Sequence, residues 1–165
     1  MRKAILYILA VVVLILDQIT KWWVRHHFMQ DESRDIIPGL FALTFVRNTG
    51  GAFGILPHST GALAVAAIIA VVVIVVIALR TSGGLPLSLA WALGLPLGGA
   101  LGNMIDRVRL SYVVDFLDVH VADHHWPVFN VADTAICTGV ALLALRYWSS
   151  PAQSKESSLA LEEKS

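Results

Sequence analysis

Two aspartates, Asp115 and Asp133, flank the start of the last apolar run of the chain, in the segments 112–116 and 129–133. A carboxylate inside or beside an apolar run is costly to keep unless it is paired, so such acids are candidate functional groups. Two carboxylates that share one proton can hydrolyse a peptide bond, because the ionised one activates a water and the neutral one donates a proton. The pair therefore predicts the chemistry of an aspartic protease, without deciding which aspartate is the acid and which is the base.

The elements that must position this pair are membrane helices. Of the 165 residues, 56% are hydrophobic and only 15% are charged, and the apolar residues are gathered into runs. Four runs are long enough to cross a hydrocarbon core of about 30 Å, which takes roughly 20 helical residues. They lie at about 5–23, 61–79, 85–105 and 128–148. The chain lacks the alternating segments of a transmembrane barrel, so the sequence predicts an all-α, four-helix transmembrane bundle with residues 1–148 as a single peptidase domain.

The segments outside these runs have a different character. β-branched and aromatic residues followed by a glycine-rich turn predict a small β-sheet in the loop 36–56, lying on the outer membrane face. Residues 149–165 are rich in Ser, Lys and Glu, which predicts a disordered cytoplasmic tail. Basic residues divide equally between the two sides of the membrane, but the pair Arg2 and Lys3, with no acid nearby, favours a cytoplasmic N-terminus. Both long loops are then expected outside.

Further polar residues lie near the ends of the apolar runs. Asp17 and Lys21 are one helical turn apart with the acid first, which is the favourable order for an ion pair. The pair either secures the end of the first helix or organises a nearby site. Asn48 and Gly50 belong to a glycine-rich turn, which either is an ordinary loop or holds an extended peptide by its main chain.

The third run ends in glycines, within the segment 98–102, that predict close packing against neighbouring helices. Such packing would bring three polar residues just beyond it beside the first and fourth helices. These residues are Asn103, Asp106 and Arg107.

Two alternative interpretations of the acids have weaker support. The loop after the third run carries carboxylates and imidazoles, the ligand types that suit zinc or manganese. They are Asp115, Asp118, His120, Asp123, His124 and His125. Because their spacing matches no closed ligand pattern and a hydrophilic loop tip explains them more simply, no metal and no cofactor are expected.

The second alternative is a small transporter or proton relay through the bundle, built on Asp17, Lys21 and Asp133. A relay would place acids across the depth of the membrane, whereas the acids of this chain fall toward one face. The formal net charge is zero, which argues against nucleic acid as a partner.

Five short motifs, in order, resemble those of bacterial lipoprotein signal peptidase, also called signal peptidase II. They are Asp17-Gln-Ile-Thr-Lys21, Asn48-Thr-Gly-Gly-Ala-Phe53, Gly99-Ala-Leu-Gly-Asn-Met-Ile-Asp-Arg107, Val114-Asp115-Phe116 and Phe129-Asn-Val-Ala-Asp133. The resemblance extends from about Asp17 to Ala135, which is most of the chain.

The resemblance implies an aspartic endopeptidase of the bacterial inner membrane, with both termini cytoplasmic and the active site at the periplasmic face. Such enzymes remove the signal peptide from prolipoproteins, cutting before a cysteine whose diacylglycerol stays among the membrane lipids, and the cyclic peptide globomycin inhibits them. By position in the motifs, Asp115 and Asp133 correspond to the catalytic dyad, and Asp17 and Lys21 to a structural pair. Positions that shape the site or contact substrate and inhibitor correspond to Asn48, Gly50, Asn103, Asp106, Arg107 and Asn130.

Overall fold

Four long helices dominate the fold, seen in a computed structural model that describes residues 2–51, 59–81, 85–121 and 124–148. The helices are α1 (Arg2–His27), α2 (Thr60–Arg80), α3 (Leu87–Leu110) and α4 (Val131–Trp148). Each is long and apolar enough to cross a membrane. The predicted four-helix membrane protein is therefore confirmed.

α3 is the centre of the bundle. It packs against each of the other three helices and is much more buried than any of them. α2, in contrast, is apolar on all sides and leaves most of its surface exposed, which is the pattern of a helix surrounded by lipid. Because α3 packs against both α1 and α4, the polar residues at its end can reach both of these helices.

Glycines set the close approach of α3 to its neighbours. Gly94, Gly98 and Gly102 recur every fourth residue and face α1, where a Cβ added to Gly98 would lie 2.5 Å from the backbone oxygen of Ala10. Gly99 faces α4, and a Cβ there would collide with a backbone oxygen of that helix. The close packing predicted for this segment is confirmed, and larger side chains would push the helices apart.

The helix ends differ from the predicted ones for local reasons. α1 continues to His27 and α3 to Leu110, beyond the apolar runs, because hydropathy detects the lipid-exposed stretch and not the polar turns that extend it. α4 begins only at Val131, since Phe129 forms a β-bridge with Leu117 instead. The predicted disordered tail, 149–165, lies outside the described residues.

A four-stranded antiparallel sheet joins the two long loops. Its strands, in spatial order, are β1 (Ser33–Ile37), β2 (Phe41–Asn48), β3 (Val113–Val121) and β4 (His124–His125). The predicted small sheet is confirmed, but its extent needs correction. β1 begins at Ser33, residues 52–56 of the predicted loop lie outside the described residues, and half of the strands come from the second loop. β3 escaped prediction because it is buried on both faces near its start and so lacks a simple alternation of apolar and polar residues.

The sheet lies at one end of the bundle. The connections from α1 to α2 and from α3 to α4 meet there, because β2 pairs with β3. Polar contacts mark the opposite end: Lys3 Nζ donates to the backbone oxygen of Leu79 at 3.2 Å, and Arg146 Nη1 donates to Ser88 Oγ at 2.8 Å. The sheet and the two candidate catalytic aspartates therefore share one end.

Candidate active site

Asp133 lies in the first turn of α4. The backbone N–H of Asp133 donates to Asn130 Oδ1 at 2.9 Å, which is the bond that an N-cap side chain forms with the third residue of a helix. An acid in the first turn is also favoured by the positive end of the helix dipole. An asparagine cap followed by an acid thus fixes the position of Asp133 from local sequence alone.

Asp115 lies in β3, where it is almost wholly buried. It is paired with Val46 of β2, and Asn48, two residues further along β2, is its diagonal neighbour on the same face. Asn48 Nδ2 donates to Oδ2 of Asp115 at 2.8 Å, and Asn130 Nδ2 donates to Oδ1 at 2.6 Å. Burial, and after it the charge of Asp133, raise the pKa of Asp115 to about 7.

Two asparagines connect the two carboxylates. Asn130 bonds to Asp115 through its amide nitrogen and to the backbone of Asp133 through its side-chain oxygen. Asn103 Nδ2 donates to Oδ1 of Asp133 at 2.7 Å, and its own side-chain oxygen accepts from Asn130 Nδ2 at 3.3 Å. The two acids are therefore held by amides, which hydrogen-bond to a carboxylate without neutralising its charge.

A buried cation, Lys21, ties this network to α1. Its Nζ lies 2.9 Å from Asp17 Oδ2 and 3.0 Å from Asp106 Oδ2, and it donates to Asn103 Oδ1 at 2.8 Å. An ammonium group has three hydrogens to donate, so each of them has an acceptor. The ion pair predicted between Asp17 and Lys21 is confirmed, and it extends to a triad with Asp106.

The acids of the triad also hold the backbone beside the two candidate catalytic residues. Asp17 Oδ1 accepts from the backbone N–H of Ala132 at 2.9 Å, and Asp106 Oδ2 accepts from the backbone N–H of Val114 at 3.1 Å. Ala132 and Val114 each directly precede one of the two aspartates of the pair. One charge cluster thus fixes the backbone on both sides of the site.

Arg107 connects α3 to the turn that follows β2. Its Nη2 donates to the backbone oxygen of Gly50 at 3.2 Å and its Nη1 donates to the backbone oxygen of Asn103 at 3.4 Å. The backbone N–H of Gly50 in turn donates to Asn48 Oδ1 at 2.8 Å. The glycine turn is therefore anchored both to the candidate site and to α3.

The two aspartates open onto one cleft of about 690 Å³, which runs from the turn after β2 along α4 as far as Thr138. Six of the residues selected from the sequence line it: Asn48, Gly50, Asn103, Arg107, Asp115 and Asp133. The other four support the cleft from behind through the bonds described above: Asp17, Lys21, Asp106 and Asn130.

Some members of the site were not selected from the sequence. Gln18 Nε2 donates to Asp106 Oδ1 at 3.1 Å, to Asp17 Oδ2 at 3.2 Å and to the backbone oxygen of Gly102 at 3.3 Å. An amide inside an apolar helix was the available signal. The cleft wall formed by the segment 126–129 and by Cys137 carried no signal, because these side chains are apolar or ordinary for a membrane helix. Asp123, from the alternative metal interpretation, lies outside the described residues.

The cleft has the arrangement that a membrane-embedded aspartic peptidase requires. Two carboxylates line it at one end of a helix bundle, amides lie between the acids, and a buried charge cluster lies behind them. Comparison with known proteins narrows the class. Residues 9–149 match the family model described as Signal peptidase (SPase) II. The chain therefore belongs to the signal peptidase II family.

Individual relatives agree with this assignment. The chain is 43% identical over 146 residues to a lipoprotein signal peptidase of Syntrophotalea carbinolica, covering 87% of this chain and 91% of the relative. It is 42% identical over 142 residues to a lipoprotein signal peptidase of Halothermothrix orenii, covering 86% and 94%. A solved structure described as a bacterial membrane enzyme superimposes with a TM-score of 0.79 at 34% identity, covering 86% of this chain and 85% of that one.

Proposed function

We propose that this member of the signal peptidase II family removes the signal peptide from bacterial prolipoproteins, with Asp115 and Asp133 as its catalytic dyad. The observation that carries the proposal is that both carboxylates line one cleft while Asn130 hydrogen-bonds to both residues. The curated relatives are lipoprotein signal peptidases, which supports the substrate class. The cut falls before the cysteine that carries diacylglycerol.

The dyad works as a pair that shares one proton. The ionised carboxylate takes a proton from a water, the resulting hydroxide attacks the carbonyl carbon of the scissile bond, and the neutral carboxyl group protonates the departing amine. The guanidinium of Arg107, which lines the same cleft, stabilises the negative charge that develops on the carbonyl oxygen. The reaction uses protein side chains and water throughout.

The shape of the cleft suggests how the substrate is placed. The part of the cleft that extends away from the sheet follows α4 from Asp133 to Thr138, which suits a signal helix packed in the membrane beside α4. The part of the cleft next to the sheet is bordered by the turn at Asn48 and Gly50, whose main chain supports an extended peptide near the dyad. The lipid anchor of the substrate remains in the bilayer and sets the depth of the scissile bond. Globomycin-type inhibitors occupy this same cleft.

The orientation in the membrane forms part of the proposal. We place the protein in the bacterial inner membrane with both termini cytoplasmic, residues 1–148 as one domain, and the sheet on the periplasmic face. Exposed apolar side chains at the end of β1 and in the turn that follows it support contact of the sheet with the membrane surface: Ile36, Ile37 and Leu40. Exposed Trp22 and Trp23 near the same end of α1 support an interfacial position there.

Substrate specificity provides the direct test. The purified chain is incubated with a prolipoprotein that carries diacylglycerol and with the same prolipoprotein before lipid transfer, and the products are identified by mass spectrometry. We expect cleavage before the cysteine in the lipidated form alone. Equal cleavage of both forms, or a cut at another bond, contradicts the proposal.

The pH dependence of cleavage tests the shared proton. Since the pKa of Asp115 is raised to about 7, the pair keeps its proton below that pH, and kcat/KM should fall as the pH rises through about 7. The hydrogen bond from Asn48 favours the ionised carboxylate, so Asn48→Ala raises the pKa of Asp115. We expect the falling limb of the plot of kcat/KM against pH to move to higher pH by about one unit in this variant.

The matched control is Ser33→Ala, on the exposed edge strand of the same sheet. It should leave the limb at its original pH, which separates a loss of the bond to Asp115 from a general disturbance of the sheet. A limb that stays in place, or moves to lower pH, in Asn48→Ala would show that Asp115 is not the titrating group.

A further inference from the structure

The hairpin formed by β3 and β4 carries three potential metal ligands on one face. Asp118 and His120 are two residues apart in β3, so their side chains point the same way. His125 is the cross-strand partner of His120. One donor atom from each of the three residues lies within 4.8 Å of the others. The strand register thus creates a cluster that linear spacing does not reveal.

The cluster contains a buried polar atom without a partner. His120 is 8% exposed, and among the described residues its Nδ1 has no hydrogen-bond partner. Of the carboxylates among the described residues, Asp118 is the one beside it, and its Oδ1 is 3.8 Å away, too far for a hydrogen bond. A buried nitrogen without a hydrogen-bond partner requires an explanation. Binding a metal would provide one, because an unprotonated imidazole nitrogen is a good metal ligand.

The distances around Asp118 Oδ1 suit a small cation. His125 Nδ1 forms a hydrogen bond with this oxygen at 2.8 Å, which a bound cation would replace, and His120 Nδ1 is 3.8 Å from the same oxygen. Ligand atoms of a tetrahedral zinc ion with bonds near 2.1 Å lie about 3.4 Å apart, so each of these two distances is within about 0.6 Å of the spacing that zinc requires. Two imidazoles and one carboxylate are a ligand set for zinc and similar transition-metal dications.

We propose that Asp118, His120 and His125 bind a zinc-type divalent cation that clamps β4 onto β3. The remaining oxygen of Asp118 accepts a hydrogen bond from Thr44 Oγ1 of β2 at 2.8 Å, the kind of outer contact that orients a metal-binding carboxylate. The three ligands are not among the residues that line the cleft. The ion is therefore structural and separate from the aspartic dyad.

The clamp bears on the cleft through the segment that follows β4. The backbone N–H of Trp126 donates to the backbone oxygen of Val119 at 2.8 Å, and that of Phe129 donates to the backbone oxygen of Leu117 at 3.1 Å. These two hydrogen bonds attach the segment to β3. Both Trp126 and Phe129 line the cleft. A metal that fixes β4 onto β3 thereby fixes one wall of the cleft.

The test is zinc binding by the purified full-length chain, free of any affinity tag, in competition with a chromophoric chelator. We expect one zinc ion per chain, and a melting temperature that rises on zinc addition. His125 is exposed on one side and its replacement does not open the core. His125→Ala should therefore fold normally while weakening zinc binding by at least about 100-fold.

The matched control is His124→Ala. His124 is next to His125 but is paired with Val121 and exposed, so this variant should bind zinc as the unaltered chain does. Asp118→Asn and His120→Ala should reproduce the loss seen with His125→Ala. Unchanged zinc binding in His125→Ala, or an equal loss in His124→Ala, would overturn the proposal. Because the readout is metal binding, failure here leaves the peptidase assignment untouched.

Discussion

Replacing either Asp115 or Asp133 by asparagine is expected to lower the rate of prolipoprotein cleavage by at least about 10³-fold, since an amide neither takes a proton from water nor donates one as a carboxyl group does. The measurement is single-turnover cleavage of a diacylglyceryl prolipoprotein by each purified variant. The control is Asp35→Asn on the exposed strand β1, where the carboxylate is solvated and the rate should be unchanged.

Folding must be followed in the same variants. Asparagine keeps the shape of aspartate and removes a buried ionisable group beside another acid, so the melting temperature of Asp133→Asn should stay the same or rise. Asp115→Asn replaces one of two oxygens that accept from Asn48 and Asn130 by an NH2 group, which cannot accept, so this variant should fold but melt somewhat lower. Loss of cleavage with retained folding assigns the chemistry to the dyad. If either variant cleaves at more than about a tenth of the original rate, the two residues do not share the proton transfers assigned to them.

Replacing Lys21 by methionine should have the largest effect on stability. The variant leaves Asp17 and Asp106, both almost completely buried, without their cation. Breaking a buried ion pair from one side costs about 3–5 kcal/mol of unfolding free energy. Denaturant unfolding in detergent would measure the loss, and cleavage should fall with it because Asn103 loses the donor that orients it toward Asp133.

Two further variants make this prediction specific. Lys3→Met removes a lysine from the same helix, but one that is only half-buried, and should cost less than about 1 kcal/mol. Adding Asp17→Asn to Lys21→Met removes one of the two unpaired charges and should restore part of the stability. A Lys21→Met protein as stable as the original would mean that the buried charges are satisfied in some other way.

The sequence predicted the number and type of the helices well because a lipid solvent imposes a simple rule on length and hydropathy. It also selected both aspartates, since an acid beside an apolar run is unusual. The partners of those acids could not be read in the same way. The bond from Asn103 to Asp133 exists because α3 approaches α4 closely at Gly99, and no linear pattern measures that approach.

The second long loop shows a different limit of prediction from sequence. Asp118 and the histidines after it predicted an exposed hydrophilic tip, yet His120 is buried. The reason is the pairing of β2 with β3, which joins residues more than sixty positions apart. Long-range strand pairing of this kind depends on packing across the whole fold, so local composition gave the wrong environment for His120.

The position of Lys21 one turn after Asp17 on the same helix has a consequence for biogenesis. α1 is synthesised before α3 and must enter the bilayer without Asp106. A lone lysine or aspartate costs about 2.5–3.5 kcal/mol at the middle of an inserting helix, and less toward the end of the apolar run, where Asp17 and Lys21 lie. Because the two side chains lie 2.9 Å apart within α1, the helix carries its own counter-ion into the lipid. The charges of Asp17 and Lys21 thus balance each other while α1 inserts. Asp106, the third charge of the cluster, joins them only after α3 has been synthesised.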